Sequence, residues 1–143
     1  MGHYYQVQTT TRNWADAKTF AESLTWFGMQ GHLATVESAS EHFAIQAMID
    51  NSDHWIDGSD AATEGSWKWV SGPSNEQPIS PFFWADGQPN GGLTQNCLVY
   101  YSDQWYDDTC LSSYKSIVEF ECTPGSTCAR MLCESFVPFA VLL

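Results

Sequence analysis

Apolar and polar residues alternate at the start of the chain and then take up a helical spacing. Residues 4–10 alternate well enough to predict a first strand. Asn13 is suited to cap a helix, because its side chain can accept a hydrogen bond from a free amide of the first turn. The expected inward face is formed by Trp14, Ala17, Phe20 or Ala21, and Leu24. The glycines at 28 and 31 are expected to end this helix.

A short strand and a second helix follow in the pattern. Residues 32–36 predict the strand. Ser38 and Glu41 then stand at the spacing of a capping box, in which each satisfies a backbone amide near the other. The helix is predicted to run to about Ile49. Its expected buried residues are Phe43, Ala44, Ala47 and Met48.

From residue 55 onward the pattern changes to short strands and long turns. Residues 71–96 are expected to be mostly loop, which is long for a compact domain and typical of functional segments. The first strand is placed to pair with the last, so helices first and strands later predict an α+β fold. Strands are predicted at residues 55–56, 67–70, 97–101, 104–106 and 116–122.

Composition narrows the class of protein. A chain of 143 residues forms one domain of ordinary size. Its net charge of −12 argues against nucleic acid or an anionic membrane as a partner, because both require a basic patch. No apolar run reaches the roughly 18 residues that a membrane span requires. Five cysteines in a small acidic chain indicate an oxidising compartment, and therefore a secreted or extracellular protein.

Side-chain oxygens are concentrated between Trp84 and Cys110. Closure of the chain between two cysteines would draw these oxygens toward one point, and they are the ligand type that calcium and sugar hydroxyls prefer. The residues concerned are Gln88, Asn90, Gln95, Asn96 and Asp107, with Cys97 and Cys110 as the two cysteines.

A series of short motifs gives this segment a context. In chain order the motifs are Trp14-x-x-Ala17, Gly31-His32-Leu33-Ala34-Thr35-Val36, Trp55-Ile56-Asp57-Gly58, Glu64-Gly65-Ser66-Trp67-Lys68-Trp69, Gln88-Pro89-Asn90, Trp105…Cys110 and Ile117-Val118-Glu119-Phe120. The series resembles the C-type lectin-like domain, in its invertebrate and microbial branches. The resemblance covers about residues 3–122 and implies two helices, small antiparallel sheets and a long loop region. Residues 1–122 are thus expected to be the domain, and residues 123–143 a cysteine-containing apolar tail.

The resemblance also implies a binding site. In sugar-binding members one calcium ion takes oxygens from positions that correspond here to Gln88, Asn90, Gln95, Tyr106 and Asp107, and the same side chains bind the sugar. Carbohydrate binding is therefore assigned to Gln88, Asn90, Gln95 and Asp107. Glutamine at 95 and tyrosine at 106 replace the usual acid and amide. One carboxylate remains, so calcium is expected to bind weakly.

Two further calcium positions of the family are half present. Asp60 and Glu64 match the second position, with Asn96 and Gly91 where further acids are usual. Asp60, Glu64 and Asn96 thereby join Gln88, Asn90, Gln95 and Asp107 as candidate metal ligands. Thr35, Glu37 and Glu41 match the third position, although the capping box accounts for Glu41.

The cysteines are also interpreted through the resemblance. It implies a disulfide between Cys97 and Cys110, and it places the helix partner of Cys122 at Ala21. Cys122, Cys128 and Cys133 then allow several arrangements: a Cys122–Cys128 bridge, one free thiol, a link to another molecule, or a zinc site. The apolar end of residues 123–143 either folds onto its own domain or packs on a second copy of the chain. Of the histidines, His32 is expected to be structural and His42 and His54 to lie at the surface.

No sequence motif indicates catalysis. Asp103, Asp107 and Asp108 stand close together, but nothing marks one of them as a buried acid, and no nucleophile or phosphate-binding motif is present. We therefore expect a binding protein and not an enzyme. The first hypothesis is an extracellular carbohydrate-binding module with weak calcium dependence and a glycan as its partner. The alternative is a calcium-independent structural or protein-binding module that assembles into an oligomer through residues 123–143.

Overall fold

A computed structural model describes residues 2–80 and 83–122 of the chain. The predicted α+β class is confirmed. Neither helix in this part is long and apolar enough to cross a membrane. The division at residue 122 and the apolar tail concern residues outside the described part. The elements are β1 (His3–Arg12), α1 (Trp14–Ser23), β2 (Thr25–Trp26), β3 (Met29–Leu33), α2 (Ala39–Gln46), β4 (His54–Ser59), β5 (Lys68–Trp69), β6 (Cys97–Tyr101), β7 (Gln104–Asp108) and β8 (Tyr114–Glu121).

The strand β8 lies at the centre of the sheet. β1 pairs with it antiparallel along one edge, from His3 opposite Glu121 to Gln8 opposite Ser116. On the other edge β3 pairs antiparallel and β4 pairs parallel. The sheet continues from β4 to β6 and β7, and β5 extends from β4. The predicted return of the first strand to the last is confirmed.

The first helix begins where the sequence predicts. The Asn13 side chain accepts a hydrogen bond from the Asp16 amide at 2.8 Å, and Ala17 and Ala21 are fully buried. The helix ends at Ser23, however, and the two glycines that were expected to end it belong to the β2–β3 hairpin. Phe27 and Gly28 form its turn with φ values of 46° and 78°. A turn with two positive φ values matches the twist of paired strands, which explains the hairpin.

The capping box of α2 is confirmed, but the buried face of this helix is the predicted one only in part. Glu41 N–H donates to Ser38 Oγ at 3.2 Å, and Ser38 N–H donates to Glu41 Oε2 at 3.1 Å. The helix ends three residues before Ile49. Phe43 is 62% exposed and Ala47 is exposed. Ala44 is buried as predicted, and Glu41, His42 and Ile45 are buried beside it.

His42 and His54 are buried, which corrects the expectation that they lie at the surface. Their exposed fractions are 4% and 0%. The His42 ring stacks on Phe83 with centroids 4.0 Å apart and lies within hydrogen-bonding distance of the Tyr100 hydroxyl. His54 Nδ1 lies 2.7 Å from the Ser52 carbonyl oxygen. Burial lowers the pKa of both histidines.

A buried aspartate fixes the start of the long loop. Asp57 on β4 is fully buried. Its carboxylate accepts hydrogen bonds from Val70 N–H and Ser71 N–H, both at 2.8 Å, and from the Ser71 hydroxyl at 2.5 Å. Burial raises the pKa of Asp57 from its ordinary value of 3.8 to about 6.

We predict that Asp57 makes stability depend on pH. Its pKa is higher in the folded protein, so the folded state binds a proton that the unfolded chain lacks between pH 6 and 4. Its contribution to stability therefore rises as pH falls from 7 to 5, by about 1 kcal/mol. Asp57→Asn should remove that gain, which urea unfolding at the two pH values in chelator would measure. Asp86→Asn, at an exposed position, should retain the wild-type response. An unchanged response in Asp57→Asn would contradict the prediction.

Candidate functional site

The long loop is attached to a rigid hairpin. Cys97 begins β6 and Cys110 follows β7, and the two form a disulfide with their Cα atoms 5.2 Å apart. This is the pairing that the resemblance implies. β6 and β7 are paired from Cys97 opposite Asp108 to Tyr101 opposite Gln104. The disulfide therefore ties the ends of the hairpin beside the residues that carry the candidate site.

Asp107 holds the loop to this hairpin. The residue is 5% exposed. Its carboxylate accepts hydrogen bonds from Asn90 N–H at 3.0 and 3.1 Å and from Gly91 N–H at 2.7 Å. In return, Asp107 N–H donates to Gln88 Oε1 at 3.4 Å. Both oxygens of the carboxylate thus accept hydrogen bonds from the backbone, which stabilise its buried charge.

We call the contact between Asp107 and residues 88–91 the clasp. The other predicted members of the sugar site lie around it. The Gln95 side chain packs against Gly91, where a Cβ atom would overlap it. Its Nε2 donates to Asp108 Oδ1 at 3.4 Å. The structure thus brings Gln88, Asn90, Gln95 and Asp107 together, with Gln95 directed toward Asp108. Their roles in binding stay predictions.

Tyr106 and Asp108 complete the surroundings of the clasp. Tyr106 presents a half-buried ring and not an amide oxygen, with its centroid 6.3 Å from that of Tyr101. The Tyr114 hydroxyl donates to Asp108 Oδ2 at 2.5 Å. Burial, followed by this hydrogen bond, raises the pKa of Tyr114. Asp108 was not among the predicted site residues, although two consecutive aspartates at a strand end were a visible signal.

A second group of oxygens lies where β4 and β6 separate. Ser59 is paired with Cys97, so the residues that follow and precede them, Asp60 and Asn96, are neighbours. Ser59 Oγ donates to the Asn96 carbonyl oxygen at 2.6 Å. Asp60 is 3% exposed, and its Oδ2 accepts from Gly65 N–H at 2.9 Å.

Two oxygens of this group have no donor among the described residues. Asp60 Oδ1 and the side-chain oxygen of Asn96 are both buried, and neither has a hydrogen-bond partner. Buried acceptors without donors are costly. A calcium ion, which prefers carboxylate and amide oxygens, would satisfy them. Glu64 is exposed nearby in the chain. This predicted calcium position therefore fits a cation better than the clasp around Asp107 does.

Comparison with known proteins agrees with this architecture. The family model of the Lectin C-type domain matches residues 10–120. The chain belongs to the C-type lectin domain family. Members of this family are binding proteins without enzymatic activity and are commonly extracellular.

Two curated relatives illustrate the similarity in sequence. Halomucin of Haloquadratum walsbyi is 32% identical in an alignment 139 residues long, which covers 88% of this chain and 2% of halomucin. C-type lectin domain family 4 member F of Mus musculus is 34% identical in an alignment 119 residues long, which covers 79% of this chain and 20% of that protein. The C-type lectin domain seen here therefore spans a small part of each relative.

Solved structures show the same fold. The mouse scavenger receptor C-type lectin carbohydrate-recognition domain is 26% identical, with a TM-score of 0.72 over 85% of this chain and 92% of that one. A calcium-independent type II antifreeze protein is also 26% identical, with a TM-score of 0.69 over 82% of this chain and 85% of that one. The C-type lectin fold thus accommodates both carbohydrate recognition and calcium independence.

We predict that Asp107→Ala releases the loop. The amides of Asn90 and Gly91 would lose their acceptor, which should lower the free energy of unfolding by about 1–3 kcal/mol. Hydrogen exchange should accelerate at these two amides, measured by NMR in chelator. Asp86→Ala, at an exposed position of the same loop, serves as the control and should leave both quantities unchanged. Wild-type exchange at both amides in Asp107→Ala would show that the carboxylate does not hold the loop.

Proposed function

We propose that this C-type lectin domain is an extracellular carbohydrate-binding module, with the binding surface at Gln88, Asn90, Gln95 and Asp107. The observation that carries the proposal is the clasp between Asp107 and residues 88–91, which arranges several polar side chains on one loop. Gln88 and Asn90 each carry an amide that can donate to one sugar hydroxyl and accept from another. A glycan is therefore the proposed partner.

Calcium has a different role in this proposal from the one usual in the family. The Asp107 carboxylate is occupied by backbone amides, so the sugar-contacting loop holds its shape without a metal. Asp60, Glu64 and Asn96 are the proposed calcium ligands, because two of their oxygens are buried without donors. With few carboxylates in the group, binding should be weak. Calcium would support the base of the loop, and the sugar would contact amides directly.

The alternative function is a calcium-independent module that binds protein or assembles into an oligomer. Its specific support is again the self-satisfied Asp107 carboxylate, together with the fold shared with a calcium-independent antifreeze protein. The predicted assembly segment, residues 123–143, lies outside the described residues, as do Cys128 and Cys133. Cys122 itself is disulfide-bonded.

A glycan array probed in millimolar calcium and again in chelator tests the sugar site. We expect specific binding by the wild type and its loss in the double variant Gln88→Ala/Asn90→Ala, because the hydroxyl-binding amides are removed. Asn75→Ala, an exposed asparagine of another turn, is the matched control and should bind like the wild type. The absence of specific binding in calcium would overturn the lectin proposal and favour the assembly module.

The calcium proposal is tested separately by titration calorimetry. We expect one weak site in the wild type, lost in Asp60→Asn, because that change leaves no carboxylate at the buried position. Asp86→Asn should titrate like the wild type. Calcium binding that survives Asp60→Asn but is lost in Asp107→Asn would place the ion at the sugar-contacting loop instead.

A further inference from the structure

Two histidines and two glutamates share one face of three adjacent strands, away from the candidate sugar site and from the Asp60–Asn96 position. Glu119 and Glu121 stand two residues apart on β8, so their side chains point to the same face. His3 on β1 is the register partner of Glu121, and His32 on β3 is the register partner of Glu119. We call these four residues the His/Glu cluster.

The side chains of the cluster converge across the strands. His3 Nδ1 lies 2.6 Å from Glu119 Oε1, and His32 Nε2 lies 3.4 Å from Glu121 Oε1. Ligand atoms of His3, Glu119 and Glu121 all lie within 4.8 Å of one another. Two ligands of one tetrahedral zinc ion stand roughly 3.3 Å apart, given bonds of about 2.0–2.2 Å. The His32–Glu121 separation matches that value.

His32 presents a buried nitrogen that has no hydrogen-bond partner within residues 2–80 and 83–122. The residue is 4% exposed. Its Nδ1 lies 2.7 Å from the Leu33 carbonyl oxygen, which can only accept, so Nδ1 carries the proton and donates. In the neutral ring Nε2 is then an acceptor. It faces Glu121 Oε1, and both atoms are buried without a hydrogen-bond partner. Two acceptors in this position require a cation or a further proton between them.

The orientation of the ligands is already fixed by the backbone. A histidine that binds metal usually donates its other ring nitrogen to a carbonyl or carboxylate, as His32 does to Leu33. Glu119 is fully buried. Its Oε2 accepts from Thr35 N–H at 2.8 Å and lies 3.1 Å from the Thr35 hydroxyl, and its Oε1 is held by His3 Nδ1. Gly72 lies against the His32 ring, where a Cβ atom would come within 2.6 Å of the ring carbon Cε1.

One side of the cluster borders a surface cleft. His32 and Glu121 line a cleft of about 570 Å³ between the β2–β3 turn and the turn at Gly72 and Pro73. This cleft provides the entry path that an ion needs. Imidazole nitrogens with carboxylate oxygens suit zinc and similar transition metals, whereas calcium prefers a shell of oxygens alone.

We propose that His3, His32, Glu119 and Glu121 form a binding site for a divalent transition-metal ion, zinc in the first instance. Two carboxylates and two neutral imidazoles have a charge of −2, which a divalent ion balances. Such an ion would cross-link β1 to β3 over β8. The site shares no residue with the sugar loop or with the Asp60–Asn96 position. Its presence or absence therefore leaves the proposed function unaffected.

Protons on His3 and His32 compete with a metal ion for the ring nitrogens. The contact with Glu119 raises the pKa of His3 to about 9.

Zinc titration of the full chain by calorimetry, after removal of metal with chelator, tests the proposal. We expect one zinc ion per chain and a loss of affinity of at least about tenfold in His32→Gln and in Glu121→Gln. Glu22→Gln, at an exposed carboxylate on the rim of the same cleft, is the matched control and should bind like the wild type. The same titration after alkylation of free thiols should be unchanged, which excludes zinc held by cysteine.

Cobalt provides a measurement that does not rely on the buried variants folding normally. Cobalt(II) added to the wild-type chain should give the ligand-field absorption of a nitrogen- and oxygen-bound ion, and zinc should displace it. His3→Gln, at a half-buried position, should weaken that signal. If the wild type binds no zinc, or if His32→Gln and Glu121→Gln bind it as the wild type does, protons and not a metal occupy the cluster and the proposal fails.

Discussion

The pairing of three strands with β8 is the constraint on which the rest of the domain depends. β1 covers one edge of β8, and β3 and β4 share the other. Because side chains alternate along a strand, this one element contributes to both core clusters: Val118 and Phe120 to the first, Ile117 to the second. The alternation also carries Glu119 into a fully buried position. Both the packing and the buried charges therefore follow from the central place of β8.

Asp107 and Asp60, at the two candidate calcium positions, illustrate how a protein can stabilise a buried carboxylate. At Asp107 the chain supplies backbone N–H groups, and a cation would have to compete with them. Among the described residues, only one oxygen of Asp60 has such a donor. Two acids of similar burial thus differ in the donors that the surrounding backbone offers them. The residue types alone do not reveal this difference.

Local signals in the sequence predicted the elements well. The Asn13 cap, the Ser38–Glu41 box and the strands after residue 55 depend on neighbouring residues and appear as expected. The β2–β3 hairpin was missed because its turn uses Phe27 and Gly28, while the usual signal for two positive φ values is Asn-Gly. The burial of His42 was missed because its partner Tyr100 is 58 residues away. A contact of that kind is decided by tertiary packing.

The candidate site was predictable in its location but not in its chemistry. The resemblance assigned Gln88, Asn90 and Asp107 to one binding site, yet the direction of each hydrogen bond depends on the backbone at 90 and 91. The His/Glu cluster was missed for another reason. The sequence does show two charged residues, Glu119 and Glu121, two positions apart in a strand that must be buried. Their histidine partners, however, come from two other strands.

The register of β1 on β8 has one further consequence. His3 and Glu121 are directly opposite each other, so the backbone enters and leaves the sheet on neighbouring strands at the same end. Domains whose ends lie side by side can be inserted into a host polypeptide without separating its flanking segments. This geometry allows a longer protein to carry the domain between two of its own segments, with the long loop supported by strands farther along the sheet.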